Sequence, residues 1–376
     1  MSKKIKLLTI IETLGRGGAE RVLVNTLPEL QKIGIDCEVA ILFQRDDLAN
    51  ELEDRGIKVH KLNLSYKWNI FEGVYKLYNL IRINRYSIVH AHLFFAYFYL
   101  GLTKIIFPKM KVITTFHNLG YKVYPANTFI KKVRKKIDIF IVNRLFDKTT
   151  AVSYAVKKHY EKHLNLDNID MISNSFPILE FEKNYKNNSQ NILENYIYNN
   201  NNFLVLTAGR FVKEKGHKYL IEAIKILNKK YTNMTFLFVG NGPLKNHIKD
   251  LSLSNIKIIS EIEHMELMKL YKEVDLIVVP SIYEAFGLVV GEAMIMEKAV
   301  VATNVDGIVD LITDKEEGLL VPPKDAQALA DTIEKFYLDK ELRETLAKHA
   351  REKIKKFDTK IIAFQWKNYY KDMINE

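Results

Sequence analysis

Residues 275–294 read DLIVVPSIYEAFGLVVGEAM. Leu276–Val279 is apolar at every position instead of alternately, the pattern of a strand covered on both faces of a parallel sheet. Pro280 closes the run, IYEAFG makes a loop and LVVGEAM continues as a helix, so the stretch is one strand–loop–helix unit of an α/β domain. Glu284 in the loop and Glu292 in the helix stand among apolar and small residues. A buried carboxylate is costly unless something partners it. A vicinal diol, such as that of a ribose, would satisfy Glu292 with two hydrogen bonds, and Gly291 beside it leaves room for a bulky ligand. Glu284, nearer the strand end, would face the rest of that ligand. The plainer alternative is a pair of glutamates favoured by a helix N-terminus.

The same alternation runs outward in both directions. IKLLTII, DCEVAILF, SIVHAH, KVITTFH and KTTAVS read as strands in the first half, and NFLVLTAG, MTFLFVG, NIKIIS, DLIVVP, AVVATN and GLLVPP in the second. Helical periods lie between them, among them 19–33, 70–84, 217–230, 243–252, 264–272, 287–297 and 325–337. The Asn-rich stretch 177–202 interrupts the pattern and reads as a connection with one short helix. Two doubly wound parallel-sheet domains are therefore expected: 1–176, rejoined by a final helix over 353–376 that supplies 355–376 to it, and 203–354. Ligands of such sheets bind beyond the carboxyl ends of the strands, which makes the strand-following loops and a cleft between two facing domains the expected place for chemistry.

Composition bounds the rest. A chain of 376 residues holds two or three domains, and 48% hydrophobic residues supply their cores. A lone cysteine, Cys37, excludes a disulfide framework and a Cys-rich zinc site. The N-terminus starts basic but reads as a first strand, not a signal peptide, and LFFAYFYLGLT (93–103) is too short to span a bilayer. The expected location is the cytoplasm, including the cytoplasmic face of a membrane. Net charge is +11, and residues 1–176 hold 28 Lys/Arg against 16 Asp/Glu while the remainder is nearly balanced. The excess on the first half suits anionic lipid, a polyanionic substrate or nucleic acid, or is simply a solvated basic surface.

Three further loops carry polar groups. After the first strand, Gly15, Gly17 and Gly18 lead into a helix whose free N–H groups suit a phosphate. The spacing is neither the dinucleotide fingerprint, because Glu20 stands at the third glycine position, nor a Walker loop; an ordinary strand-to-helix turn is the alternative. In TAGRFVKEKGHKYL, Arg210 and Lys215 flank a turn and could neutralise a departing diphosphate, or be surface charge. VHAHLF places His90 and His92 at one strand end, and TTFHNLG places His117 and Asn118 at another, where they would meet a polar substrate or serve the structure. No Asp-x-Asp and no metal-ligand spacing is present, so no metal is expected.

Taken together, GGAERV (17–22), GRFVKEKG (209–216), VGNGP (239–243) and EAFGLVVGEAM (284–294) resemble the retaining glycosyltransferases of family 4, which have the GT-B fold. The resemblance runs along most of the chain, and the Glu-x7-Glu spacing with FG inside is its most specific part. It implies a nucleotide-sugar donor, UDP-linked by preference, bound through Gly17, Gly18, Arg210, Lys215, Gly240, Glu284, Ala285, Phe286, Gly287, Leu288 and Glu292. Within that set Glu292 would hold the ribose, and Arg210 and Lys215 the leaving diphosphate. Glu284, His117, Arg210 and Lys215 are the implied catalytic group, with no cofactor, no metal and front-face substitution that retains configuration. The implied reaction moves a hexose or N-acetylhexosamine to a hydroxyl of a glycan or polyprenyl-linked oligosaccharide in cell-surface polysaccharide synthesis.

The chain departs from the family pattern at MISNSFP (171–177), where only Asn174 matches the hinge, and at VDGIVD (305–310), which replaces a GGxxE pattern. The acceptor or membrane side would include His92, Asn118 and the basic start of a helix over 128–146, with Lys131, Lys132, Arg134, Lys135 and Lys136. Phe129, Val133, Ile137, Phe140 or Ile141, and Leu145 recur there at helical spacing, the pattern of a helix lying on an anionic membrane or of one packed on a core. Other readings are a sugar-nucleotide 2-epimerase, disfavoured by the Glu-x7-Glu helix; a nucleic-acid binder, which lacks any recognised motif; and an inactive sugar-nucleotide binding module.

Overall fold

The computed structural model describes the chain except residues 1–4, 124, 126, 187–192, 194–201, 250–252, 261 and 376. The Asn-rich connection falls largely outside the described residues. The chain divides into two compact units, one of residues 1–177 with 357–376 and one of residues 178–356.

The first unit is built on strands β1 (Lys6–Ile11), β2 (Asp36–Ile41), β3 (Lys58–Lys61), β4 (Ile88–His92), β5 (Lys111–Phe116), β6 (Lys148–Ala151) and β7 (Asp170–Met171). They form one parallel sheet in the order β3-β2-β1-β4-β5-β6-β7. The second unit carries β8 (Phe203–Ala208), β9 (Met234–Val239), β10 (Ile256–Ile259), β11 (Leu276–Val279), β12 (Ala299–Thr303) and β13 (Leu319–Val321). These are also all parallel, in the order β10-β9-β8-β11-β12-β13. In both orders the first three strands run outward one way and the fourth crosses back to the other side of the first, so β1/β4 and β8/β11 are the switch points where such sheets open a crevice. Each unit is thus a doubly wound α/β domain.

The central strands are buried along their length, β4, β8, β9, β11 and β12 at every residue. Two strands fall outside the apolar runs of the sequence. β3, Lys-Val-His-Lys, lies at the sheet edge with exposed or half-exposed residues, and β7 is a two-residue edge strand. An edge strand has one neighbour and tolerates polar residues, so its hydrophobic signal is weak.

The stretch 353–376 is not one helix. A helix Lys340–Ile354 ends in a short 3-10 turn, Lys355–Phe357, and a second helix starts at Thr359 and runs to Asn375. The break lies where Phe176 pairs with the chain at Asp358: its N–H donates to the Phe357 carbonyl (2.9 Å) and its carbonyl accepts from Thr359 N–H (3.0 Å). The final helix packs on the helix Gly18–Lys32, burying Ile362, Ala363, Trp366, Tyr370 and Met373 in the core of the first unit with Leu7, Leu23 and Leu27.

In the second unit the loops after β8 and β9 touch backbone to backbone. A Cβ on Gly240, which holds φ +145°, would sit 2.0 Å from the Gly209 carbonyl oxygen. Both the dihedral and the clash oppose any side chain there. Gly240→Ala is therefore expected to cost about 2 kcal/mol or more of stability, read as a lower denaturant midpoint. An unchanged midpoint would show that the two loops can separate freely.

Candidate active site

Three loops at the carboxyl ends of β8, β11 and β12 converge in the second unit. Gly216, at φ +67°, admits the loop after β11 so closely that a Cβ would lie 1.9 Å from the Pro280 carbonyl oxygen. Ile282 N–H donates to the Glu214 carbonyl at 2.7 Å and locks these two loops together. The third loop is tied through Glu284, whose N–H donates to Asp306 Oδ2 (3.3 Å) and whose carbonyl accepts from Gly307 N–H (2.9 Å). Gly307 is required for this approach, since a Cβ would fall 2.2 Å from the Ala285 carbonyl oxygen.

This bracing brings Lys215 Nζ to 2.5 Å from Glu284 Oε2, and Ser281 Oγ donates to the same oxygen at 3.2 Å. Both partners are mostly buried, with side-chain exposures of 23% and 17%. A pair so shielded is screened less than a surface ion pair and holds a fixed geometry. Arg210 is placed differently. Its side chain is 76% exposed and its Nη2 stands 3.5 Å from Glu214, a pair too solvated to fix its position. The chain continues through buried Phe286 and Gly287 into the helix Leu288–Ile295, with Gly287 in the left-handed region at the helix start. The first N–H groups of that helix have no intrahelical partner and point toward its N-terminus.

Glu292 lies in this helix and is held by two groups that sequence reading missed. His264 Nε2 lies 2.9 Å from its Oε1, and the Tyr271 hydroxyl donates to Oε2 at 3.2 Å. Both come from the helix His264–Glu273. Burial, reinforced by the carboxylate, pushes the Tyr271 hydroxyl well above its usual range, so it stays a donor. Their separation, i and i+7 on one helix, was the available signal, since it puts both on one face.

In the first unit, β1 leads through Gly15 into the helix Gly18–Lys32, with Gly17 as its N-cap and no side-chain cap. Glu20 folds back over this end: a Cβ on Gly17 would lie 2.3 Å from Glu20 Oε2, and Thr13 Oγ1 donates to Oε1 at 3.3 Å. The anion facing Gly17 is thus the chain's own carboxylate, and burial raises the pKa of Glu20.

His90 and His92 of β4 and His117, which follows β5, form a stack. His90 is committed to structure, with Nδ1 2.8 Å from the Tyr370 hydroxyl and Nε2 2.7 Å from Thr115 Oγ1. His92, 4% exposed, lies over it at a ring separation of 4.0 Å. Its Nδ1 is 2.7 Å from His117 Nε2. His92 is therefore a buried support for His117 and not a surface residue. Asn118 is exposed, and its Oδ1 accepts from the Tyr160 hydroxyl at 3.2 Å. A cavity of about 30 Å³ beside the stack is lined by Thr9, His92, His117 and Asn174, among others. Thr9 Oγ1, His92 Nε2 and His117 Nδ1 are buried there without a protein partner. The space suffices for a water molecule. No group of three or more metal-ligating side chains occurs among the described residues.

Burial holds His92 well below its ordinary value of 6.5 and lowers His117 to about 4. Both rings are neutral at pH 7, and their stabilising effect, complete above about 6.5, is lost as the pH falls from there toward 4. Asp138, raised by burial to about 6, works in the opposite direction over part of that range. Unfolding midpoints should therefore fall on acidification below 6.5, and His92→Gln should flatten the slope by up to about 1.4 kcal/mol per pH unit. An identical slope in the variant would contradict a neutral, buried His92.

Residues 188–353 match the family model of glycosyl transferases group 1, and residues 16–177 match that of Glycosyltransferase Family 4. The capsular polysaccharide biosynthesis glycosyltransferase CapM of Staphylococcus aureus is 32% identical over 203 residues, 53% of this chain and 53% of that protein. This match spans about half the length of that relative. An uncharacterized glycosyltransferase of Methanocaldococcus jannaschii is 24% identical over 356 residues, covering 90% of this chain and 88% of its own. The crystal structure of Anabaena HepE in complex with UDP and glucose shares the fold, with a TM-score of 0.82 at 20% identity over 98% of this chain and 100% of that one. One family model thus matches each of the two doubly wound units, Glycosyltransferase Family 4 the first and glycosyl transferases group 1 the second, and the chain has the GT-B fold.

Proposed function

We propose that the protein transfers a hexose or N-acetylhexosamine, with retention of configuration and without a metal, from a UDP-sugar to a hydroxyl of a glycan or polyprenyl-linked acceptor during cell-surface polysaccharide synthesis. The observation that carries this reading is the Lys215–Glu284–Ser281 cluster, fixed by three interlocked loops at the strand ends where α/β domains bind ligands. The capsular relative supports the polysaccharide role. HepE, crystallised with UDP and with UDP-glucose, supports a uridine donor.

The roles follow from the chemistry of each group. Lys215, positioned by Glu284, and Arg210, which is exposed and held only by a solvated pair, meet the charge that develops on the departing diphosphate. Gly240, whose own N–H donates to the Ile259 carbonyl at 3.0 Å, shapes the loop, and the amides of Gly287 and Leu288 at the helix start add fixed donors. Glu292 keeps its ribose role despite its two protein partners. A carboxylate has about four lone-pair positions, and His264 and Tyr271 use two, so a vicinal diol can donate to the others. Glu284 orients the donor sugar.

In the first unit, neutral His117 with Asn118 offers groups suited to hydroxyls, and Gly17 and Gly18 offer close backbone approach to a phosphate once Glu20 yields that position. In front-face substitution the bond from the anomeric carbon to the phosphate oxygen breaks while the acceptor oxygen attacks the same face. The acceptor proton passes to the departing phosphate oxygen, so no protein base is consumed.

Lys215→Ala and Glu284→Ala should each lower kcat about 100-fold or more, as for loss of one preorganised charge-stabilising group. Glu292→Ala should mainly weaken UDP binding, about tenfold. Kinetics of nucleoside diphosphate release and calorimetric UDP titration separate the two classes. Activity like that of the wild type in Glu284→Ala would refute the site.

A further inference from the structure

The helix Phe129–Leu145 is built inside out. Its buried face holds Ile141 and Val142 but also Asp138, a carboxylate 2% exposed that accepts from the Tyr121 hydroxyl at 2.7 Å. Its outward face holds the larger apolar residues. Phe129 and Ile130 are 81% and 80% exposed, Phe140 is 57% exposed, and Val133 and Ile137 are more than a third exposed. Phe129, Val133, Ile137 and Phe140 recur at intervals of three and four and form one stripe. Burial in the fold therefore does not explain these residues.

The stripe belongs to a wider surface. This helix packs beside the helix Phe94–Ile106, which packs beside Ile70–Asn84, so all three lie in one layer of the first unit. The last of them exposes Phe71 and Tyr75, at 90% and 67%, four residues apart. The stripe along Phe129–Leu145 is a continuous run of exposed apolar side chains, and such runs mark an interaction surface.

The charges identify the partner. Lys131, Lys132, Lys135 and Lys136 crowd the first turns of the helix, Arg144 ends it, and its one acid, Asp138, is buried. Two of the helix's cations take part in packing: Arg134 lies over the Phe94 ring at 3.5 Å and Lys135 over the Tyr121 ring at 5.5 Å, which leaves Lys131, Lys132 and Lys136 exposed. An isologous contact with a second copy would set the lysines against one another. A surface that is apolar and cationic together fits the interface of an anionic bilayer, where rings enter the headgroup region and ammonium groups meet lipid phosphates. No helix among the described residues is long and apolar enough to cross a membrane, so the contact is made from outside.

We infer that the helix layer of the first unit, led by Phe129, Ile130 and Phe140, docks on an anionic lipid bilayer. The inference deepens the reading of a lipid-linked acceptor and rests on it for its purpose, whereas its evidence is the surface itself.

The test is flotation of the full chain with vesicles of phosphatidylcholine alone and of phosphatidylcholine with about one third phosphatidylglycerol. The wild type should partition about tenfold or more better to the anionic vesicles, less so at high salt. Phe129→Ser combined with Phe140→Ser should lower that partitioning about tenfold, because each ring withdraws from the interface while every charge stays. Both residues are exposed, so the fold should tolerate the change, and thermal unfolding checks this. Equal partitioning to both vesicle types overturns the inference. So does a double variant that floats like the wild type, which would leave only a diffuse charge effect, or recovery of wild type with neutral vesicles alone. Nucleotide-sugar hydrolysis by the same double variant without vesicles should be unchanged. Hydrolysis absent from wild type and variant alike would fault the transferase reading and leave the docking result standing.

Discussion

The contact between Lys215 and Glu284 is the constraint on which the candidate site depends. The two residues are 69 positions apart and sit on loops from different strands, yet the amine and carboxylate meet at 2.5 Å. This is possible only because Gly216 and Gly307 let three backbones approach without side chains between them, and because Ile282, Glu284 and Gly307 exchange main-chain hydrogen bonds across those loops. The arrangement is preorganised: the cation is aimed before any ligand arrives, so under the proposed transfer little reorganisation would accompany charge development on a leaving group. Arg210, exposed and loosely paired, is the complement, a charge that a ligand can recruit.

The first unit solves a different problem. Its strand ends present imidazoles that burial keeps uncharged, stacked from the structural His90 through His92 to His117. A neutral ring can donate with one nitrogen and accept with the other, which suits hydroxyl groups better than phosphates. The two units thus differ in chemistry: a fixed cation and helix amides in one, neutral polar groups in the other.

Much of this was legible in the amino-acid order, and the failures have physical causes. Strands buried on both faces announce themselves as unbroken apolar runs, as Leu276–Val279 does. β3 and β7 do not, because an edge strand has no second neighbour to demand such residues. The chain looks helical from Lys353 onward because local propensity is all that periodicity reads. The break at 355–357 is imposed by pairing with Phe176, a tertiary contact. The two glutamates were visible as anomalies, but their partners were not. Lys215, His264 and Tyr271 reach them through loop convergence and helix packing; the seven-residue spacing puts His264 and Tyr271 on one face but does not tell which carboxylate they meet. The stripe from Phe129 to Phe140 was likewise visible as a period, while the direction it faces depends on the neighbours of the helix.

The most direct test of the account is release of nucleoside diphosphate from a panel of nucleotide sugars by the purified chain, with EDTA present and no acceptor. The account predicts slow release from a uridine-linked hexose or N-acetylhexosamine donor, undiminished by the chelator. Release from no donor, together with no thermal shift by UDP or GDP, would contradict it.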